Sequence, residues 1–156
     1  MQAFLTIQAK GRARSLAVSN WQARDLQAVF DATGAYPSAL EVEFHPYWHE
    51  DALIDFCAAR NITVINYAPL ALGSVTLFAE PSIVAAATAH SVTPAQVVLR
   101  WGLQMTGGVV IPRSSNSSHM HDNMNIFTFD LTANEIAAIS ALPQKKIFNT
   151  YCQPWC

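Results

Sequence analysis

The stretch EVEFHPYWHED, from Glu41 to Asp51, packs four carboxylates and two histidines into eleven residues. Groups at that density serve acid–base chemistry or metal binding. Side chains alternate along an extended chain, so Glu41, Glu43 and His45 share one face, and Val42, Phe44 and Pro46 the other. This suits a strand with an apolar side against helices and a polar side in the mouth of a barrel. A metal wants a third strong donor nearby. His49 lies past the Pro46 turn, where it opens the next helix, and His119 and His121, two apart in a polar helical turn, do not share a face. No metal is expected at either place.

A second chemical cluster is PRSSNSS, Pro112 to Ser118. It places a guanidinium and a run of hydroxyls where a strand breaks into a short helix. Hydroxyls, free backbone N–H groups and the positive helix end together make an anion site, and Arg113 can hold a phosphate bidentately. The same serines can instead cap a turn, with Arg113 as a surface charge. Tyr67 offers a ring face to a planar ligand or packs in the core. Ser19 and Asn20 supply directional hydrogen bonds or cap the next helix.

These residues must be positioned by regular elements. Four β-branched segments read as buried strands: Ser15–Asn20, Ala39–Phe44, Thr63–Pro69 and Gly108–Pro112. Helical patterns separate them, at 23–34, at 50–61, and as a pair at 81–91 and 93–105. The second of that pair opens with Thr93, Pro94 and Gln96, a capping box with proline in the first turn. A final helix at 131–142 carries another box, Thr132 with Glu135, and 1–11 reads as one more helix. Alternating strand and helix predicts a parallel α/β sheet covered by helices, either doubly wound or part of a (β/α)8 TIM barrel. In both, function gathers at the C-terminal strand ends, here SNW, EFHPY, NYAPLALG and IPRSSNSS.

Composition sets the outer limits. The 156 residues, 51% hydrophobic and 13% charged, fit a single globular domain over 1–156 with no interdomain linker. A net charge of -2 gives no electrostatic case for nucleic acid or an anionic membrane. No apolar run reaches the roughly 18 residues of a membrane span. The N-terminal basic residues follow the apolar ones, the reverse of a secretory signal. Cys57, Cys152 and Cys156 make no disulfide framework, so a reducing, cytoplasmic compartment is expected. The CQPWC ending reads as free thiols.

In order and spacing, RSLAVSNW, ALEVEFHPY, LIDFCAARNITVINYAPL, TPAQVVLRWGLQ, VVIPRSS and FDLTANEIAAI resemble the second half of the aldo-keto reductase family, NADP(H)-dependent oxidoreductases on a (β/α)8 barrel that reduce carbonyls to alcohols. The resemblance implies that Ser19 and Asn20 hold the nicotinamide carboxamide, with Glu41 where the family usually has glutamine. It implies that Tyr67 stacks on the ring and selects the hydride transferred, and that Leu70 and the loop after it lie over the pyrophosphate. Arg113 and Ser114 match the grip on the 2′-phosphate, hence NADP rather than NAD. Asn116 belongs to the same turn, His119 stands where an arginine is usual, and Asp122 with Asn123 lie near the adenine. Glu41, His119, Leu40 for a usual asparagine and the interrupted LALG loop together imply weakened cofactor affinity.

The family's catalytic aspartate, tyrosine, lysine and histidine lie on the first four strands, so no catalytic residue carries over and the chain alone is expected to be inactive. Three readings follow: the cofactor half of a reductase completed elsewhere, a non-catalytic structural or regulatory subunit on a half-barrel scaffold, or a truncated gene product with no function of its own. Open edges at the first and last strands, and an inner face left bare, predict association, either as a homodimer restoring a barrel-like closure or by docking in a larger assembly. Phe148, Tyr151 and Trp155 of the tail can line a substrate pocket or pack elsewhere.

Overall fold

The computed structural model describes residues 1–147, and Phe148, Tyr151, Cys152, Trp155 and Cys156 lie outside them. Strands β1 (Ala17–Ser19), β2 (Ala39–Glu43), β3 (Thr63–Tyr67) and β4 (Val109–Val110) form one parallel sheet in chain order. A doubly wound sheet reverses direction at a switch point, whereas strands that always step to the next neighbour build a barrel wall. The order decides between the two: the sheet is part of a barrel. Ser19, Glu41, Ile65 and Val109 stand side by side across it.

Burial alternates as the pleat requires. Leu40, Val42, Val64 and Asn66 are buried on the helix side. Ala17, Ser19 and Val109 are exposed on the other side, with Glu41 and Ile65 half-buried. That second side is the inner wall, and the described residues leave it open. The outer strands are shorter than their apolar segments predict, three residues for β1 and two for β4. Each pairs on one edge only, so the ladder ends early.

The helices are α1 (Gln2–Ala9), α2 (Ala23–Thr33), α3 (Asp51–Ala58), α4 (Val75–Phe78), α5 (Pro81–His90), α6 (Pro94–Thr106), α7 (Ser117–Met124) and α8 (Ala133–Ser140). The Thr93–Gln96 and Thr132–Glu135 boxes form, and Gly34 ends α2 with a φ of 73°, a left-handed cap that glycine adopts without strain. A third box, Gln22 with Asp25, opens α2. The short α4, started by the Ser74 hydroxyl, is a third helix in an interval where two were expected. No residue of α1 is buried, and its Phe4 and Ile7 are exposed.

The core lies between sheet and helices. Leu26, Leu53, Ile54, Val97, Trp101 and Ile139 close over Leu40, Val42, Phe44 and Val64. Trp101 stacks on Phe44, with ring centres 5.1 Å apart, and its indole N–H donates to Ser140 Oγ at 3.0 Å. Asn66 turns outward from β3 and donates through Nδ2 to the Gly102 carbonyl at 3.2 Å, fastening the strand to α6. Burial pushes the Cys57 thiol up to about 11, against a smaller opposing pull from Arg60. That keeps the thiol protonated and inert. Among the described residues no single helix is long and apolar enough to cross a membrane.

Candidate functional site

Three adjoining strand ends bring Ser19, Asn20, Glu41 and Tyr67 together. Asn20 leaves β1 with a φ of 58°, a left-handed conformation that asparagine tolerates better than most residues. Its main-chain N–H donates to the Glu41 carbonyl at 2.8 Å. The Tyr67 hydroxyl, at the end of β3, donates to Asn20 Oδ1 at 3.0 Å. With its oxygen engaged by Tyr67, Asn20 keeps the Nδ2 N–H donors, which have no partner among the described residues. Ser19 is exposed beside it, and the half-buried Glu41 carboxylate has no hydrogen-bond or ion-pair partner among the described residues. The arrangement offers a hydroxyl, an amide donor, a carboxylate acceptor and an aromatic ring, the complement of a planar ligand carrying an amide.

The opening stretch divides in two. Glu41 faces the open wall, but Glu43 and His45 are buried side chains bonded to one another, His45 Nε2 to Glu43 Oε1 at 3.0 Å. Glu43 Oε1 also accepts the Ile147 main-chain N–H at 2.7 Å. Nearby, Lys145 N–H donates to the Tyr47 carbonyl, and the His49 N–H donates to Gln144 Oε1 at 2.9 Å. The pair thus fastens the segment after α8 across the end of β2. Sequence reasoning placed Glu43 and His45 on the polar side of a barrel mouth; burial and these partners make them a fastening instead. His49 precedes α3 and pairs with Asp51 at 2.7 Å. Beside Asn20 a narrow cleft runs between Gln22, Glu50, Trp48 and Lys146, whose ammonium lies 5.1 Å from the Trp48 ring centre.

The end of β4 carries the other cluster. Arg113 is exposed and has no partner among the described residues. Ser114 Oγ accepts the Asn116 N–H at 3.1 Å, forming the turn. Asn116 is the N-cap of α7: its Oδ1 accepts the Ser118 N–H at 2.9 Å and the His119 N–H at 3.3 Å. Three main-chain N–H groups of this turn, those of Asn116, Ser118 and His119, are therefore already satisfied, and Arg113 with the exposed hydroxyls is what the cluster offers an anion. His119 is exposed, and Asp122 and Asn123 are half-buried one turn further on. Among the described residues no three His, Cys, Asp or Glu side chains come together to hold a metal.

Between the clusters, the loop after β3 is unusually bent. Ala68, Ala71 and Leu72 have φ values of 49°, 49° and 60°, and Gly73 follows at 75°. Non-glycine residues there store backbone strain, a feature concentrated at ligand clamps. Leu70 itself packs against the core.

A sequential parallel sheet backed by helices, with polar groups gathered at its C-terminal ends, defines part of a βα-barrel. The chain belongs to the aldo-keto reductase family: the model described as "Aldo/keto reductase family" matches residues 1–143. An aldo-keto reductase of Mycobacterium sp. (strain KMS) is 34% identical over 155 residues, covering 95% of this chain and 55% of that protein. A protein of Arthroderma otae named "Probable NAD(P)H-dependent D-xylose reductase" is 36% identical over 152 residues, 90% of this chain and 46% of the relative. Among solved structures, a Gox0644 mutant in complex with NADPH superposes with a TM-score of 0.84 at 36% identity, over 92% of this chain and 52% of that one. The aldose reductase from Schistosoma japonicum gives 0.86 at 26% identity, over 95% and 48%. The chain spans about half the length of the relatives it matches.

Proposed function

We propose that this chain is the cofactor-holding half of an NADP(H)-dependent reductase of small carbonyl compounds. The observation that carries the reading is the Tyr67–Asn20 bond, which holds the Asn20 amide at the strand ends near Ser19 and Glu41. In this reading those residues hold the nicotinamide carboxamide and Tyr67 supplies the stacking face. The bent loop from Leu70 lies along the pyrophosphate. Arg113, Ser114, Asn116 and His119 meet the 2′-phosphate, and Asp122 and Asn123 meet the adenine. Bound NADPH supplies the hydride. The chain's own residues bind and orient it, while the proton donor for the carbonyl comes from barrel units other than these four. The exposed Phe4 and Ile7 of α1 and the bare edge residues Val109 and Ile111 are the surfaces those units would cover.

Titration of the purified chain with NADPH and, in parallel, NADH, followed by tryptophan fluorescence, tests the reading. Saturable quenching that favours NADPH is expected. No binding of either at millimolar concentration overturns it in favour of a structural subunit, the role that the substitutions Glu41 and His119 would then reflect.

A further inference from the structure

We infer that Glu41 makes this site prefer the oxidised form of its nicotinamide cofactor, an inference that rests on the cofactor site proposed above. Glu41 stands in register with Ser19 on one side and Ile65 on the other, and Asn20 holds its main-chain carbonyl. Its side chain is half-buried on the inner wall, with no hydrogen-bond or ion-pair partner among the described residues. Glutamine there could donate or accept; a carboxylate only accepts.

Two consequences follow. With Asn20 Oδ1 occupied by Tyr67, the neighbouring groups are a donor, Asn20 Nδ2, and an acceptor, Glu41. Together they match the oxygen and the NH₂ of a carboxamide in one orientation only. The second consequence is charge. The oxidised nicotinamide ring is a cation and the reduced ring is neutral, so a partly desolvated carboxylate without a cation of its own stabilises the first and not the second. About a tenfold difference in relative affinity is expected, equivalent to ~1.4 kcal/mol.

The two cofactor forms share their adenine, ribose and phosphate groups, so the ratio of their dissociation constants isolates the ring. Calorimetric titration of the full chain with NADP⁺ and with NADPH is compared with the same pair of titrations on Glu41→Gln and Arg113→Ala. NADP⁺ binds tighter to the native chain, Glu41→Gln removes that preference, and Arg113→Ala weakens both forms alike without changing the ratio. Binding of both forms with the same ratio in native chain and Glu41→Gln overturns the inference and leaves the cofactor site standing. Binding of neither form overturns the site, and the inference with it.

Discussion

The Tyr67 hydroxyl reaches Asn20 Oδ1 across 3.0 Å, tying the end of β3 to the end of β1 over the intervening β2. Replacing Tyr67 by phenylalanine keeps the ring and removes the bond. A loss of about 1 kcal/mol in urea unfolding is expected. The Asn20 amide is then free to turn its oxygen outward, and the NADPH dissociation constant should rise about fivefold. An unchanged constant would mean that the amide is held by something other than Tyr67.

Glu43 and His45 form a buried pair, and removing the His45 ring takes one partner from Glu43, which keeps the Ile147 N–H, and leaves a cavity. His45→Ala should cost about 2–3 kcal/mol, while Glu43→Gln, which still accepts a hydrogen bond, should cost less. Because Glu43 also accepts from Ile147, Glu43→Ala should expose Lys145 and Lys146 to trypsin faster than in the native chain. Equal digestion rates would show that the segment is held independently of Glu43.

Gly108 leads into β4 where β3 passes very close. A Cβ there would stand 2.0 Å from the Val64 carbonyl oxygen, a backbone atom that cannot move aside. Gly108→Ala must part β3 from β4, and a destabilisation of roughly 3 kcal/mol is expected from thermal or urea unfolding. Gly107→Ala has open space but a φ of 59°, and serves as the milder comparison.

Acid should weaken the clasp between α5 and α8. Partial burial would raise the carboxyl pKa of Glu135, but hydrogen bonds from the Thr132 main chain and side chain and from His90 outweigh it, and the net direction is down. A carboxylate whose pKa is lower folded than unfolded contributes stability above its unfolded value, near 4.3, and loses it as pH falls through the folded value. Melting temperatures recorded from pH 6 to pH 3 should fall less steeply for Glu135→Gln than for the native chain. Parallel curves would remove Glu135 from the acid response.

Local signals were legible and distant ones were not. Thr93 with Gln96, Thr132 with Glu135, and Gly34 act within a few residues of themselves, and each cap stands where the sequence places it. The alternation through Leu40, Glu41 and Val42 matches the burial along β2, and Glu43 breaks it. Periodicity alone left strand order open, because it says which residues face inward but not which strand lies alongside; the family resemblance implied the barrel order that the sheet has. The fastening of Glu43 was hidden for a related reason: its partner Ile147 is 104 residues away and contributes only a main-chain N–H, which no side-chain pattern announces. Asn116, expected at the cofactor, also caps α7 through its side-chain oxygen, a role the sequence reading did not assign. An asparagine before a serine-rich turn serves either end, and only geometry separates them.

The sequential order of the sheet has a consequence for assembly. All four strands run the same way, so the outer edge of β4 and the outer edge of β1 are unlike surfaces with a common direction. Any joint between them on two copies would be head-to-tail, and copies joined that way either return to their starting point or continue without end. With the four described strands from each copy, the smallest loop would close at two copies, the eight strands of a full barrel. The curvature of the sheet would then decide between a finite particle and a fibre. A substitution that flattened β1 or β4, without touching any ligand contact, would be the change that crosses from one to the other.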